Sequence, residues 1–338
     1  MNNKTYIYRE NNYDLMRIIC SICVVMIHVN AGWYFRDDHN IYATNYRLES
    51  FLNIFTRFSV PGFIMLSGAF NLANSNNSDA CCFYKKAARK ILPPLVLVNI
   101  FWIIQMILNG ENTIKSIFVS VIKADYGNLW FMPMLICLYL ITPLIVKSIK
   151  LFTQNELLVF ISILGIFACV SQYSTTHFLP YDNGNIASYL FYYLAGYYIY
   201  DNSLKKHIKN SYRSILYCVI ILALAWIGVF VREKFEITMF DINPFIAFFS
   251  PIVITISILT MIMFKDLKVR FNLAGLASLT YCVYLFHTPI IFFYKKMIMN
   301  KIAMPEIIHI LFEWGVVTIL SFFFSWIYRN VERRIIKR

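Results

Sequence analysis

Ten long apolar segments limit the folds open to this chain more than any other feature of its sequence. A helix needs about 20 mostly apolar residues to cross a bilayer. The segments that reach or approach this length are Leu15–Tyr34, Phe51–Ala73, Ile91–Leu108, Leu129–Ile149, Leu157–Ser171, Ile186–Tyr200, Ile215–Val231, Phe245–Phe264, Leu273–Tyr294 and Ile307–Tyr328. Polar, turn-rich connections separate them. We predict an all-α integral membrane protein, a bundle of about ten transmembrane helices that forms one domain over residues 1–338.

The composition supports this class. Of the 338 residues, 59% are apolar and 14% are charged, whereas soluble domains are about 45–50% apolar and about 25% charged. A soluble chain with so few polar residues could not cover its surface.

The basic residues are concentrated on one side of the predicted bundle. Twenty of the 31 Lys and Arg residues fall in residues 1–12, 75–90, 147–156, 201–213, 265–270 and 329–338, and nine fall in the opposite connections. This asymmetry predicts cytoplasmic termini and a multi-pass protein of the inner (cytoplasmic) membrane. We therefore attribute the formal net charge of +13 to the orientation of the chain in the membrane and to an anion-binding mouth of a cavity. We expect no nucleic-acid partner.

The first segment carries two ionisable residues that share a helix face. Arg17 and His28 are eleven residues apart, so their side chains lie about 16 Å apart along the helix axis. Asp14 joins Arg17 at the cytoplasmic end. A histidine at membrane depth is costly and suits a general base or nucleophile near neutral pH.

Three more ionisable residues fall at a similar depth in the outer leaflet. Arg57, His287 and Glu313 each lie about six or seven residues from the outer end of a predicted helix. Together with His28 they suggest a shared polar cavity, and no metal site is predicted. Two other interpretations stay open: that His287 serves only a helix–helix hydrogen bond, and that Arg57 and Glu313 form a structural ion pair.

A basic cluster precedes the third predicted helix. Lys85, Lys86, Arg89 and Lys90 fall within six residues. Such a cluster is typical of topology or of contact with anionic lipids, and it also suits a phosphate-binding patch at the mouth of a cavity.

Six blocks of the sequence, in order, resemble membrane-bound acyltransferase family 3, especially its short members. The hallmark is an Arg, ten residues and a His on the first helix. The blocks are Asp14-Leu-Met-Arg17 with Val25-Met-Ile-His28, Arg57-Phe-Ser-Val-Pro-Gly-Phe-Ile-Met-Leu-Ser67-Gly68, Lys86-Ala-Ala-Arg89, Leu129-Trp130-Phe-Met-Pro133 with Leu138-Tyr-Leu-Ile-Thr-Pro143, Tyr192-Tyr-Leu-Ala-Gly196-Tyr197, and Ser278-Leu-Thr-Tyr-Cys-Val-Tyr284-Leu-Phe-His287.

The chain also departs from the family pattern. Asn128 stands where many relatives have a His before the Leu-Trp pair, so an acid–base role at that position is not carried over. Ile64 replaces the second Phe of the helix 2 block. We expect no extracytoplasmic hydrolase-like domain, so the acceptor would meet the membrane domain directly or through a separate partner.

The resemblance implies transfer of an acyl group, most often acetyl, from acyl-CoA to a hydroxyl of a carbohydrate or lipid-linked glycan. It implies no permanently bound cofactor. The acyl-CoA site would comprise Arg17, Lys85, Lys86 and Arg89. The catalytic group would be His28, Arg17, Asp14 and Arg57, with His28 as general base or transient acyl carrier. Residues expected to line the cavity or the acceptor site are Ser67, Asn128, Trp130, Tyr284, His287 and Glu313.

Two other function classes remain open at this point. A membrane transporter or flippase also combines about ten helices with polar groups at mid-depth, but it needs no CoA site. A structural subunit of an export complex would tolerate changes at Arg17 and His28. The acceptor, the acyl group and the choice between a homodimer and a separate envelope partner are left undetermined by these residues.

Overall fold

The computed structural model describes residues 10–34, 44–110, 113–124, 127, 129–173, 186–204, 211–235 and 244–336. Within these ranges the chain is helical and contains no strand. The α-helices are α1 Asn11–Tyr34, α2 Thr44–Thr56, α3 Ser59–Ala73, α4 Ala80–Leu108, α5 Ile114–Lys123, α6 Phe131–Ser148, α7 Gln154–Tyr173, α8 Ile186–Leu204, α9 Ser211–Phe235, α10 Pro251–Asp266, α11 Ala274–Ala277, α12 Thr280–Met297 and α13 Glu306–Ile336. The predicted all-α class is confirmed.

Six helices in the described ranges are long and apolar enough to cross a membrane: α1, α4, α6, α7, α9 and α13. Each of the ten predicted segments overlaps at least one helix. The other four predicted spans coincide with helices that are shorter, more polar or interrupted, namely α2 with α3, α8, α10, and α11 with α12. The chain is thus a helical membrane protein.

α1 lies at the centre of the bundle. It packs against α2, α3, α10, α12 and α13, and most of its side chains are buried. This position explains why its apolar run is nearly continuous: a helix surrounded by other helices needs apolar residues on every face.

A helix break separates α2 from α3 where the sequence predicted one span. Pro61 has no N–H, so it cannot bond the carbonyl of Arg57 four residues earlier. The amide of Arg57 bonds the carbonyl of Ile54, three residues earlier, at 3.3 Å. The regular four-residue spacing resumes at Gly62, whose amide bonds the carbonyl of Phe58 at 2.7 Å. The break therefore places Arg57 in the turn between the two helices.

α4 begins earlier than expected. Its first residue is Ala80, and the Asp79 side chain accepts a hydrogen bond from the amide of Cys82 at 3.2 Å. Hydrogen bonds from the Cys82 side chain and from the Cys82 amide lower the pKa of Asp79 from its usual value, as expected for a carboxylate at a helix N-terminus. The sequence predicted that the basic cluster of residues 85–90 precedes this helix, whereas it lies inside α4.

Two glycines allow α3 and α8 to cross in backbone contact. A Cβ on Gly68 would overlap the backbone of Tyr193, and a Cβ on Gly196 would overlap the backbone of Met65. Small residues at such crossings are typical of membrane helices. Two of the sequence blocks noted above therefore meet each other at this crossing.

Candidate active site

A cavity of about 430 Å³ lies beside α1, and we call it the central cavity. One part of its wall is aromatic and the rest carries polar and cationic groups. The aromatic residues are Phe63, Phe70, Phe131, Tyr139, Tyr281 and Tyr284; the polar and charged residues are Arg17, Ser67, Asn71, Lys90, Ser278, Thr280 and Arg329. Such a cavity can hold a long, partly apolar ligand that is anionic at one end.

Arg17 is fixed on the wall of the central cavity. Its Nη1 donates to Oδ1 of the fully buried Asp14 at 2.8 Å, and its guanidinium lies over the ring of Phe70 at 4.5 Å. The Asp14 carboxylate orients the guanidinium while leaving it partly exposed to the cavity. Asp14 is thus a positioning residue for Arg17.

A second cavity, of about 680 Å³, adjoins the central one, and we call it the basic mouth. The residues lining it are Cys82, Lys85, Lys86, Arg89, Lys90, Arg329, Glu332 and Arg333. Lys90 and Arg329 line both cavities, so the two cavities adjoin at these side chains. Six cations against one acid make the basic mouth strongly attractive to a polyanion.

Two histidines lie side by side just outside the central cavity, next to its wall residue Tyr284. The rings of His28 and His287 are 5.0 Å apart between centroids. His287 is fully buried and its Nδ1 lies 2.6 Å from the carbonyl oxygen of Tyr284. Because a carbonyl only accepts, Nδ1 carries the proton and Nε2 keeps a lone pair when the ring is neutral. His287 Nε2 is buried without a hydrogen-bond partner.

Tyr284 connects the two parts of the site. It lines the central cavity, packs edge-on against Phe131 at 5.2 Å, and lies 5.8 Å from the ring of His287. The sequence predicted Tyr284 as a residue of the cavity or the acceptor site, and the structure places it on the cavity that contains Arg17. Neither His28 nor His287 lines that cavity, so Tyr284 separates the cavity from the histidine pair.

Arg57 faces the same region from the break between α2 and α3. It lies within electrostatic range of His28, and its guanidinium lies over the ring of Phe248 at 5.3 Å. Its Nε is buried and has no hydrogen-bond partner. Trp130 lies 5.5 Å from the same Phe248 ring. Arg57 can therefore supply a donor to an oxyanion or an anionic acceptor near the histidines.

Glu313 is fully buried at the end of this region. Its Oε2 accepts a hydrogen bond from Nε1 of Trp33 at 3.2 Å, whereas its Oε1 has no partner. Both Arg57 and Glu313 are described, and they form no ion pair with each other. Glu313 and His28 likewise share no hydrogen bond. The ion pair between Arg57 and Glu313 that the sequence left open is therefore absent.

Lys295 is a site residue that the sequence missed. It was counted as a charge of an outer connection, but it lies in the last turn of α12. Its ammonium lies against Gly32 of α1, within electrostatic range of both His28 and Glu313. The predicted helix ended at the preceding residue, Tyr294, so a predicted helix end a few residues later would have included Lys295.

The structure places the remaining predicted residues in different parts of the site. Ser67 lines the central cavity, while Lys85, Lys86 and Arg89 are exposed at the basic mouth. Asn128 lies outside the described residues. Among the described residues, no group of three or more His, Cys, Asp and Glu side chains could hold a metal ion.

Comparison with known proteins gives one match. A protein-family model described as an acyltransferase domain matches residues 10–329 of the chain. No curated protein and no solved structure matches it.

Proposed function

The chain belongs to acyltransferase family 3, and from that premise we propose that it transfers an acyl group, acetyl above all, from acyl-CoA to a hydroxyl of a cell-surface carbohydrate or related acceptor. The observation that carries the proposal is the sequence of adjoining sites: the cationic basic mouth, the partly aromatic central cavity, and the pair His28 and His287 behind the cavity-wall residue Tyr284.

The donor would lie along this path with its charged end at the basic mouth. The nucleotide of CoA is polyanionic and suits Lys85, Lys86 and Arg89. The pantetheine arm is long, flexible and uncharged, so it suits the aromatic central cavity. Arg17 is about 16 Å from His28 along the helix axis, a span comparable with that arm. The thioester would then arrive at Tyr284, next to the histidine pair.

The transfer step needs a base and a group that stabilises negative charge. We propose that the imidazole of His28 takes the acceptor's hydroxyl proton as the oxygen attacks the thioester carbonyl carbon. The tetrahedral oxyanion would be stabilised by Arg57. As the C–S bond breaks, the imidazolium returns its proton to the CoA sulfur, which leaves an ester and free CoA.

A two-step route gives the same products, an ester and free CoA. His28 would first take the acyl group on a ring nitrogen as CoA leaves as the thiol, and the acceptor hydroxyl would then attack the acyl-imidazole. Rapid mixing with labelled acetyl-CoA in the absence of acceptor distinguishes the routes, because only the two-step route releases one equivalent of CoA before acceptor is added.

The membrane arrangement follows from the charge asymmetry of the sequence. We propose about ten spans, cytoplasmic termini and residence in the inner membrane. The basic mouth would then open to the cytoplasm, where acyl-CoA is made, and the histidine pair would lie nearer the opposite surface. The donor and the acceptor would thus approach from opposite sides.

The direct test uses purified protein, radiolabelled acetyl-CoA and a panel of glycans. His28→Ala should fold normally and lower kcat by at least about 100-fold, as expected for loss of a general base. His309→Ala is the matched control, because that ring bonds Tyr294 at 3.1 Å outside the histidine pair. Wild-type transfer by folded His28→Ala would refute the role of His28.

The break between α2 and α3 favours a second candidate, because transporters often bind substrate at interrupted helices. Heating the wild-type protein with millimolar CoA separates the two functions. A CoA-dependent rise in Tm supports the transferase, and no rise supports a transporter.

A further inference from the structure

The last helix contributes to both cavities. Arg329 of α13 lines the central cavity and the basic mouth, and Lys90 of α4 is the other cation common to both. A ligand that occupies the two cavities at once must pass these two side chains. The sequence analysis placed Lys90 in the basic cluster and counted Arg329 only among the cytoplasmic charges.

Arg329 is held in place by neighbours at the junction. Its Nη1 donates to Oε2 of Glu332 at 2.7 Å and its Nη2 to the carbonyl oxygen of Ser278 at 3.2 Å. Its Nε is buried and has no hydrogen-bond partner. The guanidinium is therefore oriented before a ligand binds, and this lowers the entropic cost of binding an anion. It also retains an unused donor, Nε.

Arg333 extends the same face of α13. It is one helical turn beyond Arg329 and lines the basic mouth together with Glu332. Arg334, the next residue, is exposed and lines neither cavity. The chain thus offers two neighbouring arginines on one helix, one on the ligand path and one off it.

We propose, on the basis of the proposed function, that Arg329 and Lys90 bind the diphosphate of acyl-CoA, while Arg333 joins the α4 cations around its 3′-phosphate. This arrangement of binding residues follows from the order in which the parts of acyl-CoA are covalently linked. The diphosphate lies between the nucleoside and the pantetheine arm, as the two shared residues lie between the basic mouth and the central cavity. Arginine binds phosphate oxygens in a bidentate manner, which fixes how deeply the arm enters.

Glu332 has a distinct role in this proposal. It neutralises Arg329 when the donor is absent, and it is the one acid on the wall of the basic mouth within the described residues. A phosphate must compete with this carboxylate for the guanidinium. Removing the charge of Glu332 should therefore tighten donor binding, opposite to the effect of removing the charge of Arg329.

Steady-state kinetics of the purified full-length protein with three donors test the assignment: acetyl-CoA, acetyl-dephospho-CoA, which lacks the 3′-phosphate, and acetyl-pantetheine, which lacks all phosphates. We expect Arg329→Gln to raise KM about tenfold or more for the first two donors, the usual cost of one charged hydrogen bond. KM for acetyl-pantetheine and all three kcat values should stay unchanged.

Three further variants complete the design. Arg334→Gln should leave every KM at the wild-type value, and Glu332→Gln should lower KM for acetyl-CoA. Lys86→Ala with Arg89→Ala should raise KM for acetyl-CoA but not for acetyl-dephospho-CoA. If Arg329→Gln fails to fold, Arg329→Lys and Glu332→Gln provide the same comparison.

The outcomes separate this inference from the proposed function. If Arg329→Gln and Arg334→Gln have equal KM values, or if Arg329→Gln also raises KM for acetyl-pantetheine, the diphosphate assignment is wrong while the transferase stands. If the wild-type protein neither transfers acetyl nor gains thermal stability with CoA, the proposed function itself fails.

Discussion

The two histidines of the site differ in how their protons are fixed. The carbonyl of Tyr284 sets the tautomer of His287 and leaves its Nε2 as a buried acceptor without a partner. An unsatisfied buried acceptor costs about 1–3 kcal/mol. We interpret this cost as the mark of a functional group: His287 is placed to accept a proton or a hydrogen bond from His28 or from the acceptor hydroxyl, and so acts as a positioning residue.

His287→Asn tests this role. The Asn amide can still donate to the Tyr284 carbonyl, but it removes the Nε2 acceptor. We expect kcat to fall about 10- to 100-fold, equivalent to about 1.5–3 kcal/mol for a hydrogen bond to a charged group. KM for acetyl-CoA should not change, because His287 does not line the central cavity. An unchanged kcat would mean that His287 has only a structural role.

At the level of helices, the break before α3 decides where Arg57 lies. The sequence contains its cause, Pro61, but hydropathy averages over about 20 residues and predicts one uninterrupted span. The same averaging ended the ninth predicted helix before Lys295. Interruptions and charged helix ends depend on single residues and their neighbours, so hydropathy predicts the presence of a helix more reliably than the places of its functional charges.

Pro61→Ala should separate stability from activity. Alanine restores the N–H that can bond the Arg57 carbonyl, so α2 and α3 can join into one helix. We expect an equal or higher Tm together with at least a tenfold loss of kcat, because Arg57 would turn away from the histidine pair. Circular dichroism melting and the acetyl-transfer assay measure the two effects.

The matched control for Pro61→Ala is Pro143→Ala, which replaces a buried proline inside α6 that lines neither cavity. It should leave kcat unchanged. Full activity in Pro61→Ala would show that the break is not needed to position Arg57.

Over the whole molecule, the sequence predicted the helical class and the acyltransferase family, and both are confirmed. It did not predict that Arg329 of the final helix lines both cavities. Arg329 was counted as a topology charge because it follows the apolar run of α13, and only the packing of both α4 and α13 against α12 brings it near Lys90. Contacts between distant helices cannot be read from local composition.

The orientation of the molecule is open to a labelling test that uses a native cysteine. Cys82 is exposed and lines the basic mouth, while Lys296 is exposed in the last turn of α12. If the termini are cytoplasmic, a membrane-impermeant maleimide should label Cys82 in inside-out vesicles but not in intact cells. Lys296→Cys should show the reverse, with Cys82→Ser giving the background.

Acetyl-CoA adds a second readout to the same experiment. A donor seated in the basic mouth would cover Cys82, so acetyl-CoA should slow its labelling in inside-out vesicles, whereas acetyl-pantetheine should have little effect because it lacks the phosphates that the mouth attracts. Labelling of Lys296→Cys should not respond to either compound. Cys82 labelling in intact cells would reverse the proposed orientation, and it would place the donor mouth on the side of the membrane where acyl-CoA is absent.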